Sequence, residues 1–184
     1  LGVEDYGIYN LVGGFVTMFN VFRAGLISST QRFITFDLGK GDMNELRSTF
    51  STSLIIFLFI SCVIVVIAEG IAPWFIQNKL TIPESRMTAA MWVFQFSLIT
   101  LILNLISSPY NALIIAHEKM GAFAYISIFE VVAKLVVAYA IYISPFDKLI
   151  IYGLLLCIVQ VIIRFMYSIY CNRHFKESKL EWSV

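Results

Sequence analysis

Between Arg86 and His117 no side chain carries a charge: Met87 to Ala116 is an unbroken stretch of thirty residues, and four other stretches are nearly as clean. Charged residues make up 14% of the chain and hydrophobic ones 59%, whereas soluble domains carry about 25% charged residues. A soluble domain of 184 residues cannot hide that much apolar surface, so the chain is read as membrane-embedded. The net charge of +1 lacks the basic excess that a nucleic-acid partner demands. Cys62, Cys157 and Cys171 are odd in number and show no CxxC spacing, which excludes a disulfide framework or thiolate metal site and leaves them as small apolar fillers. His117 and His174 stand alone at segment ends. There is no HExxH, no Gly-x-Ser-x-Gly and no surface carboxylate pair, so no catalytic residue, metal site or bound cofactor is expected and the chain is read as a non-enzyme. Gly39-Lys40-Gly41 has the wrong spacing for a phosphate loop, with no strand before it, and reads as a turn. The chain has neither an initiator methionine nor a basic-then-apolar leader, and is expected to be an internal piece of a longer protein.

What is present is a series of five apolar segments, at about 6–36, 48–68, 87–116, 121–144 and 149–170. Each reaches the roughly 20 residues that cross hydrocarbon as a helix. The expected fold class is all-α, a polytopic membrane protein with five transmembrane helices. Punctuation supports these bounds: glycines in Asp37-Leu38-Gly39-Lys40-Gly41-Asp42 offer a C-cap, and Asp42 with Glu45 forms a capping box for the second segment. Thr81-Ile82-Pro83-Glu84 is a start signal for the third. Alternate connections differ in charge, one set holding seven Lys and Arg (Arg32, Lys40, Arg47, Lys119, Arg173, Lys176, Lys179) and the other three (Lys79, Arg86, Lys148). The positive-inside rule therefore places residues 37–47, 117–120 and the C-terminal tail in the cytoplasm. Trp74 and Trp92 then fall in the outer aromatic belt.

Polar residues are arranged in stripes. Asn10, Gly14, Thr17, Ser28, Gln31, Arg32 and Thr35 share one helical face of the first segment, with Asn20 at its edge. That face is either a solvated pathway or a small-residue seam for close helix packing. Segment three repeats the device with Ser97, Thr100, Asn104, Ser107 and Asn111, and segment five with Gly153, Cys157, Gln160, Arg164 and Ser168. Segment two, interrupted only by Ser61 and Cys62, reads as a peripheral, lipid-facing helix. Glu130 lies nine residues past Gly121, about 14 Å into the bilayer at 1.5 Å per residue, and Lys134 follows one turn later. Isolated charges at that depth cost about 2.5–3.5 kcal/mol each on insertion scales, so they pair, face a bundle interior or mark a transport route. The two form either a neutralised structural pair or a site of substrate or ion passage. Arg23 and Arg164 either snorkel to the interface or offer a phosphate their planar fork of donors.

In order and spacing, several short stretches resemble one family. Leu1-Gly2-Val3-Glu4-Asp5-Tyr6-Gly7-Ile8-Tyr9 looks like its loop between the first and second helices, followed by Thr30-Gln31-Arg32-Phe33 and Leu38-Gly39-Lys40-Gly41-Asp42. Pro109-Tyr110-Asn111-Ala112 and Ala116-His117-Glu118-Lys119-Met120 are similar to its joint between the fourth and fifth helices. The chain thus resembles the polysaccharide-transport branch of the multidrug/oligosaccharidyl-lipid/polysaccharide exporter superfamily, the O-antigen and capsule flippases of the bacterial inner membrane. The resemblance implies that the five segments are helices two to six, most of the N-terminal lobe of a two-lobe fold with a central cavity that opens alternately to each side. It implies an oligosaccharide linked through pyrophosphate to a polyprenol as cargo, with membrane lipids, a polysaccharide polymerase and assembly proteins as partners. Arg23 and Arg164 become candidate phosphate contacts; Asn10, Thr17, Asn20, Asn104 and Gln160 line the expected substrate route, and Glu130 with Lys134 becomes a charge lock or an ion- or proton-coupling site. Two rivals stay open, a multidrug exporter of the same superfamily with Glu130 as counter-ion, and a membrane polymerase or ligase acting on lipid-linked sugars.

Overall fold

The computed structural model describes residues 3–78, 84–143 and 147–175, and the regular structure within them is α-helical. Six helices follow in order: α1 (Val3–Thr17), α2 (Phe19–Lys40), α3 (Met43–Asn78), α4 (Glu84–Ala116), α5 (Met120–Ile143) and α6 (Lys148–His174). Hydrocarbon offers backbone groups no water, so apolar segments of this length must satisfy their own N–H and C=O groups, and the helix does so within one segment.

Four helices, α3 to α6, are long and apolar enough to cross a membrane, against the five expected. The correction concerns segment one, read as a single helix over 6–36. It is interrupted at Met18, whose backbone keeps helical angles (φ −56°, ψ −33°) and whose N–H still reaches the Gly14 carbonyl at 3.2 Å. Gly13 and Gly14, weak helix formers, occupy the turn before the break. With 15 residues, α1 is about 22 Å long, short of the roughly 30 Å hydrocarbon core. Although long enough, α2 carries Arg23, Arg32, Asp37 and Lys40. The two helices run in series from one end of the bundle to the other: Asp5 meets Arg86 at the first, while Ile34 packs with Leu46 and Ile114 at the second. The remaining segments keep their places, the fourth shifted by one residue and the others with longer ends, most of all the second, which is Met43–Asn78 in place of 48–68. Thr81, Ile82 and Pro83 lie outside the described residues.

The turns follow from local chemistry. Gly41 adopts the left-handed conformation (φ 76°) and its N–H reaches the carbonyls of Asp37 and Leu38, both at 3.2 Å. Asp42 Oδ1 accepts from the backbone N–H groups of Asn44 (3.0 Å) and Glu45 (3.2 Å), while the Glu45 carboxylate turns to Lys40 at 3.0 Å, so only half of the expected capping box forms. The α4–α5 turn places Glu118 at φ 56°, with Glu118 N–H on Ile115 O and Lys119 N–H on Ile114 O. These are the two bonds of a Schellman motif, formed without the usual glycine.

At the centre is α4, packed most extensively on α6 and also touching α1, α2, α3 and α5. Close approach to α6 depends on Gly153, where an added Cβ would meet Phe96 Cδ2 at 3.2 Å. One apolar cluster (Val12, Phe57, Ala90, Val93, Phe94, Leu98) fills one end and another (Ile34, Phe50, Leu113, Ile114, Ile163, Cys171) the other. One face of α3 is buried through Phe50, Leu54, Phe57 and Ile64, while Ile55, Leu58, Phe59 and Val66 are exposed as an apolar face. The least buried of the four long apolar helices is α5, where only Ile126, Val137 and Ile141 are buried. In water such faces would be unfavourable by roughly 25 cal/mol per Å²; against acyl chains that penalty is absent.

Candidate functional site: a polar cavity among five helices

Five helices, α1, α2, α4, α5 and α6, line a cavity of about 290 Å³, which is room for about ten waters at roughly 30 Å³ each. Ser97, Thr100 and Asn104 on α4 sit at spacings of three and four residues, which stacks them on one face. The Asn104 side-chain amide donates to the Thr100 carbonyl at 3.0 Å. Opposite stand Tyr9, Gly13 and Arg23 from α1 and α2, with Gly153, Leu156 and Gln160 from α6 and the charged pair Glu130 and Lys134 from α5.

The electrostatics rest on three groups. Lys134 Nζ donates to Glu130 Oε1 at 2.7 Å, and Gln160 Nε2 donates to the same oxygen at 3.1 Å. Gln160 is buried, and this bond ties α5 to α6 across the polar wall. Arg23 Nε donates to Ser108 Oγ at 3.1 Å, and Ser108 Oγ donates in turn to the Asn104 carbonyl at 2.8 Å. No described residue takes a hydrogen bond from the two terminal nitrogens of Arg23. Among the described residues the wall therefore carries two cations and one anion, and that anion already accepts twice.

Arg23, Asn104, Gln160, Glu130 and Lys134 are thus brought to one cavity from four helices. Arg164 is placed elsewhere: its guanidinium lies 4.3 Å over the Tyr110 ring, and its buried Nη1 has no hydrogen-bond partner among the described residues. Asn10 is exposed and does not line the cavity. The side chains of Thr17 and Asn20 lie outside the described residues. Tyr9, Gly13, Phe96 and Ser108 were not singled out as site residues from the sequence. Tyr9 is the neighbour of Asn10, so the cavity-facing side of α1 is about 100° round from the stripe that polarity suggests. Ser108 has a readable signal, a serine one turn after Asn104 and directly before Pro109.

The ends of the bundle are tied by polar contacts. Arg86, in the first turn of α4, reaches Asp5 of α1 at 3.3 Å and Asp147, the N-cap of α6, at 3.0 Å. At the other end the buried Asp37 accepts from Thr49 at 2.6 Å and His117 stacks on Phe175 with centroids 4.2 Å apart. These contacts make α4 and α6 parallel, with α5 returning between their ends. Among the described residues, no three His, Cys, Asp or Glu side chains are grouped to hold a metal ion.

Sequence comparison gives the family. A family model described as MatE matches residues 1–140, about three quarters of the chain, and the chain belongs to that family. It is accordingly a multi-pass membrane protein of the multidrug/oligosaccharidyl-lipid/polysaccharide exporter superfamily, whose MatE members are transporters, not enzymes. No curated protein matches the chain, and no solved structure does.

Proposed function

We propose that this chain forms a wall of the translocation route in a flippase that carries polyprenyl-pyrophosphate-linked oligosaccharide across the bacterial inner membrane, for O-antigen or capsule synthesis. The observation that carries the reading is the cationic excess of the cavity, Arg23 and Lys134 against Glu130. A pyrophosphate entering a low-dielectric region needs compensating donors, and the Arg23 guanidinium, whose terminal nitrogens meet no acceptor among the described residues, supplies two in one plane. Ser97, Thr100, Asn104 and Gln160 provide hydroxyl and amide groups suited to sugars. A multidrug exporter needs a carboxylate whose charge is left for an organic cation, and the Glu130 charge is already matched by Lys134 at 2.7 Å.

Transport proceeds by alternating access, with the connections at 37–47 and 117–120 and the C-terminal tail on the cytoplasmic side. Glu130 with Lys134 serves as the charge lock or coupling site that differs between the two states. Membrane lipids surround the exposed faces of α3 and α5, and a polymerase and assembly proteins receive the product. In the full-length protein, Arg23→Ala lowers surface polysaccharide while leaving membrane levels of the protein unchanged. Wild-type polymer output from that variant would refute the phosphate contact.

A further inference from the structure

We infer that Ser108 is a positioning residue for the cavity's anion contact: by holding Arg23 at Nε, it leaves only the terminal fork of the guanidinium to meet the cargo. The inference rests on the reading of the cavity as an anion site.

A guanidinium can bind a phosphoryl group side-on, through Nε and one terminal nitrogen, or end-on through both terminal nitrogens. Nε is occupied by Ser108 Oγ at 3.1 Å, which removes the side-on mode. The serine is itself constrained. Its single O–H is committed to the Asn104 carbonyl at 2.8 Å, so toward Arg23 its oxygen acts as acceptor alone. Ser108 is fully buried on the central helix α4, next to the fully buried Pro109, and Arg23 belongs to a separate helix 85 residues earlier. The contact thus fixes the direction of a long, otherwise rotatable side chain against the most enclosed part of the bundle. An end-on fork spans two oxygens, either of one phosphoryl group or of the two adjacent groups of a pyrophosphate.

The test uses the purified full-length protein in detergent, titrated with polyprenyl pyrophosphate and with polyprenyl monophosphate. Ser108→Ala weakens pyrophosphate-lipid binding about five- to tenfold, the share of one charge-assisted hydrogen bond that orients the ligand contact, and the monophosphate titration reads whether one phosphoryl group is enough to show the loss. Ser108→Cys keeps the volume with a weak acceptor and gives the same loss if the alanine variant is unstable; Ser108→Thr restores binding. In an Arg23→Ala background, Ser108→Ala adds nothing. If Arg23→Ala weakens binding but both Ser108 variants bind as wild type, or if the two losses add, the positioning role is overturned and the cavity reading stands. If Arg23→Ala leaves binding unchanged, the cavity reading itself is overturned.

Discussion

Glu130→Gln separates an anion-binding cavity from a cation-binding one by the sign of its effect. The substitution removes the one carboxylate that the described residues place on the cavity wall and keeps an amide oxygen able to accept from Gln160, which now bonds Glu130 Oε1 at 3.1 Å. The pair is an i,i+4 pair on a membrane-spanning helix, with side chains 29% and 48% exposed, so its loss leaves Lys134 unpaired at bilayer depth, at a cost of up to about 2.5–3.5 kcal/mol on insertion scales. The effect on binding has the opposite sign. For a phosphate roughly 7 Å from the carboxylate at an effective dielectric of about 20–40, the repulsion removed is about 1.2–2.4 kcal/mol. The lower figure is close to tenfold in affinity. Titration of the full-length protein with polyprenyl pyrophosphate, alongside thermal unfolding, should therefore show binding about tenfold tighter in a variant that melts below the wild type. A lipophilic cation would respond in the opposite direction. Weaker pyrophosphate binding by a normally folded variant would refute the reasoning.

Other consequences concern the scaffold. Gly153→Val forces extra methyl groups toward Phe96, whose ring already stands 3.2 Å from where a Cβ would sit, and should destabilise the protein by about 1–3 kcal/mol while weakening headgroup binding; an unchanged melting temperature would show that α4 and α6 can separate there. Glu118→Gly relieves a left-handed backbone at φ 56° and should raise stability by about 0.5 kcal/mol after the added unfolded-state freedom of glycine, read as a small upward shift in thermal unfolding. Arg86→Gln unpairs Asp5 and Asp147 and should lower stability by about 1 kcal/mol at low salt, with the difference from wild type shrinking near 1 M salt, because these partly exposed charges are screened.

Much of the helical organisation is legible from where charge is missing. The uncharged stretch before His117 becomes α4, and its polar positions 97, 100 and 104 reach the cavity because a helix repeats every 3.6 residues. Glu130 and Lys134 are readable for the same reason: charges inside an apolar helix need partners, and the pair forms at 2.7 Å. The first segment is harder. Its stripe through Asn10 follows side-chain polarity to one face of the wheel, whereas Tyr9, Gly13 and Arg23, which share a face about 100° round from it, line the cavity. Arg164 shows a second limit, since periodicity gives the face of α6 it occupies but not that Tyr110 of α4 captures its guanidinium. Ser108 matters through a contact with a residue 85 positions away, and no local pattern encodes such a contact.

Reconstituted full-length protein offers the most direct measurement: movement of a fluorescent pyrophosphate-linked oligosaccharide between leaflets of proteoliposomes, run beside uptake of a fluorescent lipophilic cation. The cationic cavity predicts transfer of the sugar-lipid, its loss in Arg23→Ala, and no competition from the cation. Robust cation transport with an immobile sugar-lipid would contradict it.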